Sequence, residues 1–445
     1  MSKIIVAGGG NGGIVAAIKL SEVGHQVSLY EVKKRGEMGM AQTDAFDADT
    51  FEYAGIEPSP NFERSSNIIT FYPEDRSLAP LTIPGFEEPS FIVDRREFAE
   101  YMMSLAEAAG VDIHYETAVI APIILGNRVA GIVTDKGDVY GDMIIDACGV
   151  NSPLRSQLPD KFLINREIKK YDTVYSYRAY FERNHDAPDP QTNYNLYLRN
   201  DGTSGFGWLI TEPERTDILI CRFYRPDDSE IQQLIEEIKA ENPHIGDPIP
   251  HSVGRSIIPV CQPLGVLVCD GYAALGDSAF MTIPVKGSGI TYSFKAGKIL
   301  ADCIIKDTEG AYDVETLWDY QSKFFKEVGF GACHLAVIKS LLPYLTAAQV
   351  NEIFSLNLVS TEEIASVMSD KAAAFFNKNG LISIKNKIKL VSDNDTMKEL
   401  LSSLLVWIGK FLVIEASYPT KYDKRSAKKW IEKYNSFFDG IRKTD

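Results

Sequence analysis

The sequence predicts an α/β protein. A parallel-sheet nucleotide-binding domain is interleaved with a β-rich substrate domain, and a helical C-terminal extension follows. Three observations carry this. Residues 1–31 read as strand, Gly-rich turn, helix and strand. From about 165 to 255 the chain turns into strands rich in aromatic and β-branched residues. Residues 265–305 then return to strand, turn and helix, and after about 312 the pattern is helical to the end. The expected division is 1–75, 90–165 and 255–310 for the nucleotide domain, 76–89 and 166–254 for the β-rich domain, and 311–445 for the helical region.

A chain of 445 residues with 45% hydrophobic and 24% charged residues has the make-up of a globular protein with more than one domain. A net charge of −15 excludes nucleic acid as the main partner, because polyphosphate backbones attract basic surfaces. None of the six cysteines forms a C-x-x-C pair, and their spacing suggests neither a metal site nor a disulfide framework. Reduced, buried thiols in the cytoplasm are the expectation. Lys3-Ile4-Ile5-Val6-Ala7 begins a strand at once, with no signal-peptide pattern before it. No run of about 20 apolar residues is present, so no membrane-spanning helix is expected.

The first motif is Gly8-Gly9-Gly10-Asn11-Gly12-Gly13, which supplies G-x-G-x-x-G at Gly8, Gly10 and Gly13. It follows the strand Ile4–Ala7 and opens the helix Ile14–Val23. Gly8 permits a tight turn, Gly10 lets the backbone approach a pyrophosphate, and Gly13 lets helix pack on strand. The helix N-terminus offers free N–H groups and a positive dipole to that anion. The next strand, Gln26–Tyr30, ends in Glu31, placed to bind ribose hydroxyls. This is a Rossmann-type unit. A second motif, Gly276-Asp277, follows the strand-like Ala273-Ala274-Leu275. Pro284-Val285-Lys286-Gly287-Ser288-Gly289-Ile290 then leads into a helix at Thr291–Ile305, a second anion-friendly N-terminus.

Together the two motifs resemble the para-hydroxybenzoate hydroxylase-type FAD fold, which includes flavin monooxygenases, halogenases and geranylgeranyl reductases. The resemblance implies FAD as cofactor, with Gly8, Gly10, Asn11, Gly12 and Gly13 at the pyrophosphate. It places Gly276 and Asp277 at ribityl or ribose hydroxyls, and Pro284, Gly287, Ser288, Gly289 and Ile290 beside the flavin ring. Partial positive charge from that loop would stabilise an anionic reduced flavin. Val93-Asp94-Arg95-Arg96-Glu97-Phe98 resembles the family's V-D-R-x-x-F helix start, which makes Arg95 a cofactor contact; the alternative is a surface arginine in a first helical turn.

Other segments resemble the family with departures. Asp146–Arg155 matches the hydroxylases' A-D-G-x-x-S-x-x-R pattern at Gly149, Ser152 and Arg155, but Cys148 stands where they have Asp. That argues against an NAD(P)H-driven hydroxylase, and Cys148 itself is expected to pack. Gly205-Phe206-Gly207-Trp208-Leu209-Ile210 resembles the reductases' aromatic-x-Trp-x-Phe-Pro strand, which makes Phe206 and Trp208 substrate-binding and Trp208 catalytic; an ordinary core strand is the alternative. Reductases of this type often carry a cysteine soon after the second strand. Here none is present; Asp44 lies near that place, as a proton donor or as a solvated loop acid.

The run Leu400–Ile414 is apolar on most of its circumference, so it is expected to be buried, to line an apolar tunnel or to touch a membrane. Residues 417–445 carry eight basic against four acidic side chains, a solvated helix face or an anionic-lipid contact. The resemblance lies closest to the reductase branch. It implies hydride transfer through flavin N5 that reduces or forms a carbon–carbon double bond in a hydrophobic, isoprenoid-like substrate. NAD(P)H or a ferredoxin-type protein would be the electron donor, and contact with a membrane would be peripheral. A flavin monooxygenase acting on an aromatic, and a non-catalytic flavin-binding electron carrier, are the alternatives.

Overall fold

The computed structural model describes residues 1–83, 85, 89–198, 205–368 and 376–442. Residues 84, 86–88 and 199–204 of the expected β-rich domain, residues 369–375 of the helical region, and Lys443 and Asp445 of the terminal charge count lie outside the described residues.

The N-terminal strand Lys3–Ala7 is the centre of the first sheet. Ile4, Ile5, Val6 and Ala7 are all at 0% exposure, as a parallel strand covered on both faces requires. It pairs in parallel with Gln26–Tyr30 on one side and Met143–Asp146 on the other. Asp112–His114 extends one edge, Tyr272–Ala274 and Val268–Cys269 the other, giving six strands. The expected glycine-turn helix runs Asn11–Glu22 and packs against the helix Ile290–Lys306. Their approach is backbone to backbone: a methyl group on Gly297 would lie 2.3 Å from the carbonyl oxygen of Gly12. The two glycine motifs are therefore neighbours in space.

The aromatic middle forms an eight-stranded sheet centred on Thr173–Arg183, Arg215–Arg222, Gly205–Thr211 and Tyr194–Leu198. A tight turn joins Gly205–Thr211 to Arg215–Arg222, with Glu212 N donating to Arg215 O at 2.9 Å. Two strands correct the expected division. Ile69–Tyr72 pairs in parallel with Tyr194–Leu198, and Gly254–Pro259 pairs with Thr173–Arg183, so both belong to this sheet rather than to the nucleotide domain. Sheet membership here is decided by register with a distant strand, which no local pattern reveals.

The C-terminal helices are stitched to the first sheet. Gln321 donates to Gly265 O and accepts from Leu267 N, both at 2.9 Å, and the Tyr320 hydroxyl donates to Ala274 O at 2.9 Å. The terminal helix Lys424–Ile441 buries Trp430, Tyr434 and Phe438 and leaves Lys424, Arg425, Lys428, Lys429 and Lys433 in solvent. Arg442 is held internally, on Asp172 at 2.7 Å. The apolar run lies in the helix Asp395–Ala416. Ile408, Phe411 and Ile414 are buried, while Val406 and Val413 are exposed, so the helix is only partly covered.

Candidate functional site: a cavity between the two sheets

One cavity of about 820 Å³ runs from the glycine loop, between the sheets, to the C-terminal helices. Its polar end starts at Gly9, Gly10, Asn11 and Gly12. Gly8 makes the turn with φ +91°. A methyl group on Gly10 would sit 2.8 Å from Ala147 O, and one on Gly13 2.7 Å from Ala147 Cβ, so these positions admit only glycine without rearrangement. The helix that follows has no side-chain cap and no acid in its first turn, which leaves its leading N–H groups to an anion.

The second motif meets the first across this end. Gly276 turns with φ +62° and Gly287 with φ +72°. Gly276, Asp277, Pro284, Gly287, Ser288, Gly289 and Ile290 all line the cavity. The helix Ile290–Lys306 is likewise uncapped and without an acid in its first turn, so two positive helix ends face one space. Burial pushes the Asp277 carboxyl up to about 6, against the opposing pull of the Arg95 guanidinium. Arg95 lines the cavity and is ion-paired with Asp44, Nη1 to Oδ2 at 2.8 Å. Glu31 is the outlier among the expected contacts. It stands at the end of its strand, but its carboxylate is turned onto the loop, accepting from Gly9 N at 2.7 Å and Lys33 N at 2.9 Å.

The Asp146–Arg155 segment ties the motifs together instead of facing the cavity with polar side chains. Asp146 accepts from Ser152 Oγ at 2.5 Å, Tyr272 OH at 2.7 Å and Cys148 N at 3.0 Å. Arg155 donates to Ser278 O at 2.7 Å and Val150 O at 2.6 Å. The Cys148 thiol donates to Ala7 O at 3.2 Å, and burial holds it well above the ordinary thiol range, as a packing role requires.

Beyond the polar end, Phe206 and Trp208 form one wall. The Arg178 guanidinium lies over the Trp208 ring, 5.0 Å from its centroid, and chelates Asp217 at 2.9 and 2.5 Å. Tyr194 meets the Trp208 ring edge-on, with centroids 6.0 Å apart. Then the lining becomes mainly apolar, with the paired Glu363 and Lys387 among its few charged groups. Ile69, Phe71, Leu196 and Leu198 come from the sheet, while Phe354, Leu401 and Leu404 come from the C-terminal helices and Leu345 from the segment joining them. Sequence reading missed Tyr194, Arg178 and Asp217, which lie on three different strands joined only by ladder register. Among the described residues no group of three or more His, Cys, Asp or Glu side chains is arranged to hold a metal ion.

This geometry is that of a dinucleotide-binding redox protein, and the chain belongs to the FAD dependent oxidoreductase family, whose profile matches residues 64–303. It is an enzyme of that class, with FAD as its cofactor. A digeranylgeranylglycerophospholipid reductase of Sulfolobus acidocaldarius is 23% identical over 431 residues, covering 88% of this chain and 90% of its own. A geranylgeranyl bacteriochlorophyll reductase-like protein of Thermoplasma acidophilum shares the fold with a TM-score of 0.70 at 17% identity, covering 88% of this chain and 98% of its own. The myxobacterial chondrochloren halogenase matches with a TM-score of 0.59 at 17% identity, over 80% of this chain and 89% of its own. The fold is thus common to reductases and halogenases, and the chemistry must be argued from the site.

Proposed function

We propose that this flavoenzyme reduces carbon–carbon double bonds in the isoprenoid chains of a lipid. One observation carries the reading: the cavity that begins at two uncapped helix ends continues as an apolar arm between the sheet and the C-terminal helices. A long hydrocarbon fits such an arm, and a small polar aromatic would leave most of it unfilled. The reductase name carried by the Sulfolobus acidocaldarius relative, aligned over most of both chains, supports it.

The first-turn N–H groups at Asn11 and Gly12 would hold the FAD pyrophosphate, as the missing side-chain cap allows. Asp277 and Arg95 would take hydroxyls of the cofactor, and Glu31 its ribose once the carboxylate releases Gly9 N. The backbone of Gly287, Ser288, Gly289 and Ile290 would face the flavin ring. When bound, FAD supplies reversible two-electron hydride chemistry at N5. The chain's own work is positioning and exclusion of water. Trp208 and Phe206 press the alkene flat, and the leucine-lined arm fixes which double bond reaches the polar end. Asp44 is held in an ion pair with Arg95, Oδ2 to Nη1 at 2.8 Å, and we assign it to orienting Arg95.

The donor we assign is a transiently bound nicotinamide or a ferredoxin-type protein, since the sequence carries one dinucleotide fingerprint only. Among the described residues no single helix is long and apolar enough to cross a membrane. We place the enzyme at the membrane's cytoplasmic surface, where exposed Val406 and Val413 on the outer side of the arm's wall can meet lipid. The test is a single anaerobic turnover of reduced enzyme with a digeranylgeranyl glycerophospholipid, followed by mass spectrometry. The expected product gains two hydrogens and no oxygen. Reoxidation that requires oxygen, with an oxygenated product, would replace this reading by the monooxygenase one.

A further inference from the structure

Saturating a double bond takes a hydride on one carbon and a proton on the other. The hydride arrives from the reduced cofactor, so a group on the cavity wall must hold the proton. That group must be protonated, must reach the cavity and must stand where the polar end meets the apolar arm. Most wall groups fail one condition. Asp44 is ion-paired with Arg95 at 2.8 Å, and Asp217 is chelated by Arg178 at the wall's back. Glu363 is paired with Lys387 at 2.6 Å, and Lys286 donates to Met368 O at 2.5 Å. Lys339 donates to Tyr171 O, Ser176 is bonded to Ser256 at 2.5 Å, and Asp277 stands beside Gly289 at the polar end.

We propose that Tyr194 donates this proton. The inference rests on the double-bond reading above. Tyr194 lines the cavity on the strand Tyr194–Leu198, on the same strand face as Leu196 and Leu198. It packs against the apolar cluster of Ile69, Phe71 and Leu345, and its ring meets Trp208 edge-on at 6.0 Å. It therefore stands at the seam between the alkene-holding tryptophan and the hydrocarbon arm. Burial keeps its phenol protonated, while the Arg178 charge acts in the opposite direction and would stabilise the phenolate that proton transfer leaves. In the step, the alkene π bond breaks and one carbon receives the hydride pair. The other carbon takes the phenolic proton, with the π electrons forming the new C–H bond. The O–H bond of Tyr194 breaks, the reduced cofactor becomes oxidised, and solvent returns a proton to the phenolate.

The experiment uses holoenzyme and the variant Tyr194→Phe, which keeps the ring and its packing. Reduced enzyme is mixed anaerobically with digeranylgeranyl glycerophospholipid in detergent, and flavin reoxidation is followed by absorbance in H2O and D2O. Tyr194→Phe is expected to keep full FAD content and wild-type reduction by dithionite. It should lose about 10²- to 10⁴-fold in reoxidation rate, the usual weight of a general acid, along with the wild-type solvent isotope effect. Reoxidation of Tyr194→Phe at the wild-type rate, with the isotope effect retained, overturns the role of Tyr194 alone. Wild-type enzyme that this lipid fails to reoxidise overturns the double-bond reading, and the role of Tyr194 with it.

Discussion

Capture of FAD should be coupled to loss of a proton from Asp277. Burial holds this carboxyl at about 6, against an ordinary value of 3.8, so it is largely neutral in the apoprotein at pH 5. A neutral carboxyl accepts hydroxyl hydrogen bonds weakly, whereas a carboxylate makes charge-assisted bonds worth about 1.5–3 kcal/mol. FAD should therefore bind more tightly as pH rises, by up to about tenfold per unit below pH 6, with a plateau above 7. The apoprotein should show the opposite trend. A carboxyl whose folded pKa is raised gives stability that is present near pH 4 and lost as pH climbs through 6. Two units correspond to at most ~3 kcal/mol. The assay is quenching of FAD fluorescence on titration into apoprotein between pH 5 and 8. Asp277→Asn should flatten the profile and weaken binding at pH 7.5 by about 10- to 150-fold. The same slope in both proteins would refute the coupling.

Three further outcomes follow from the geometry. Denaturing the purified yellow protein should release intact FAD into the supernatant; recovery of FMN would refute the cofactor placement. Arg178→Met leaves Asp217 at 0% exposure without its partner and should cost about 3–5 kcal/mol in denaturant unfolding, and a loss under about 1 kcal/mol would show the pair to be dispensable. Leu404→Trp narrows the apolar arm. It should leave FAD content intact and depress turnover of a lipid with long isoprenoid chains far more than that of a short isoprenoid alcohol; equal effects on both would place the hydrocarbon elsewhere.

The polar end of the cavity was legible in the sequence because its requirements are local. A buried strand, a positive φ at Gly8 and an uncapped helix start all lie within about twenty consecutive residues, and the Gly276–Ile290 segment repeats the device. The Leu400–Ile414 run read first as a buried helix, with a tunnel wall or a membrane contact as alternatives; its helix has two faces, Leu401 and Leu404 lining the cavity while Val406 and Val413 stay exposed. What escaped depends on register. Tyr194 opposes Ile210, and Arg178 opposes Leu219, pairings that a one-residue slip would destroy and that no sequence window contains. The inward turn of Glu31 escaped for another reason. Its carboxylate satisfies Gly9 N and Lys33 N, a local alternative to a ligand that motif matching does not consider.

The backbone contact between Gly12 and Gly297 bears on how the protein is made. The surface that receives Gly12 is translated nearly three hundred residues after the first strand and helix. At about 5–20 residues per second, that interval is roughly 15–60 s. For about the first half of it the Lys3–Ala7 strand also waits for Met143–Asp146, its neighbour in the sheet. The first strand and helix thus remain half-built over that interval, and the nucleotide site cannot close until the Ile290–Lys306 helix has emerged.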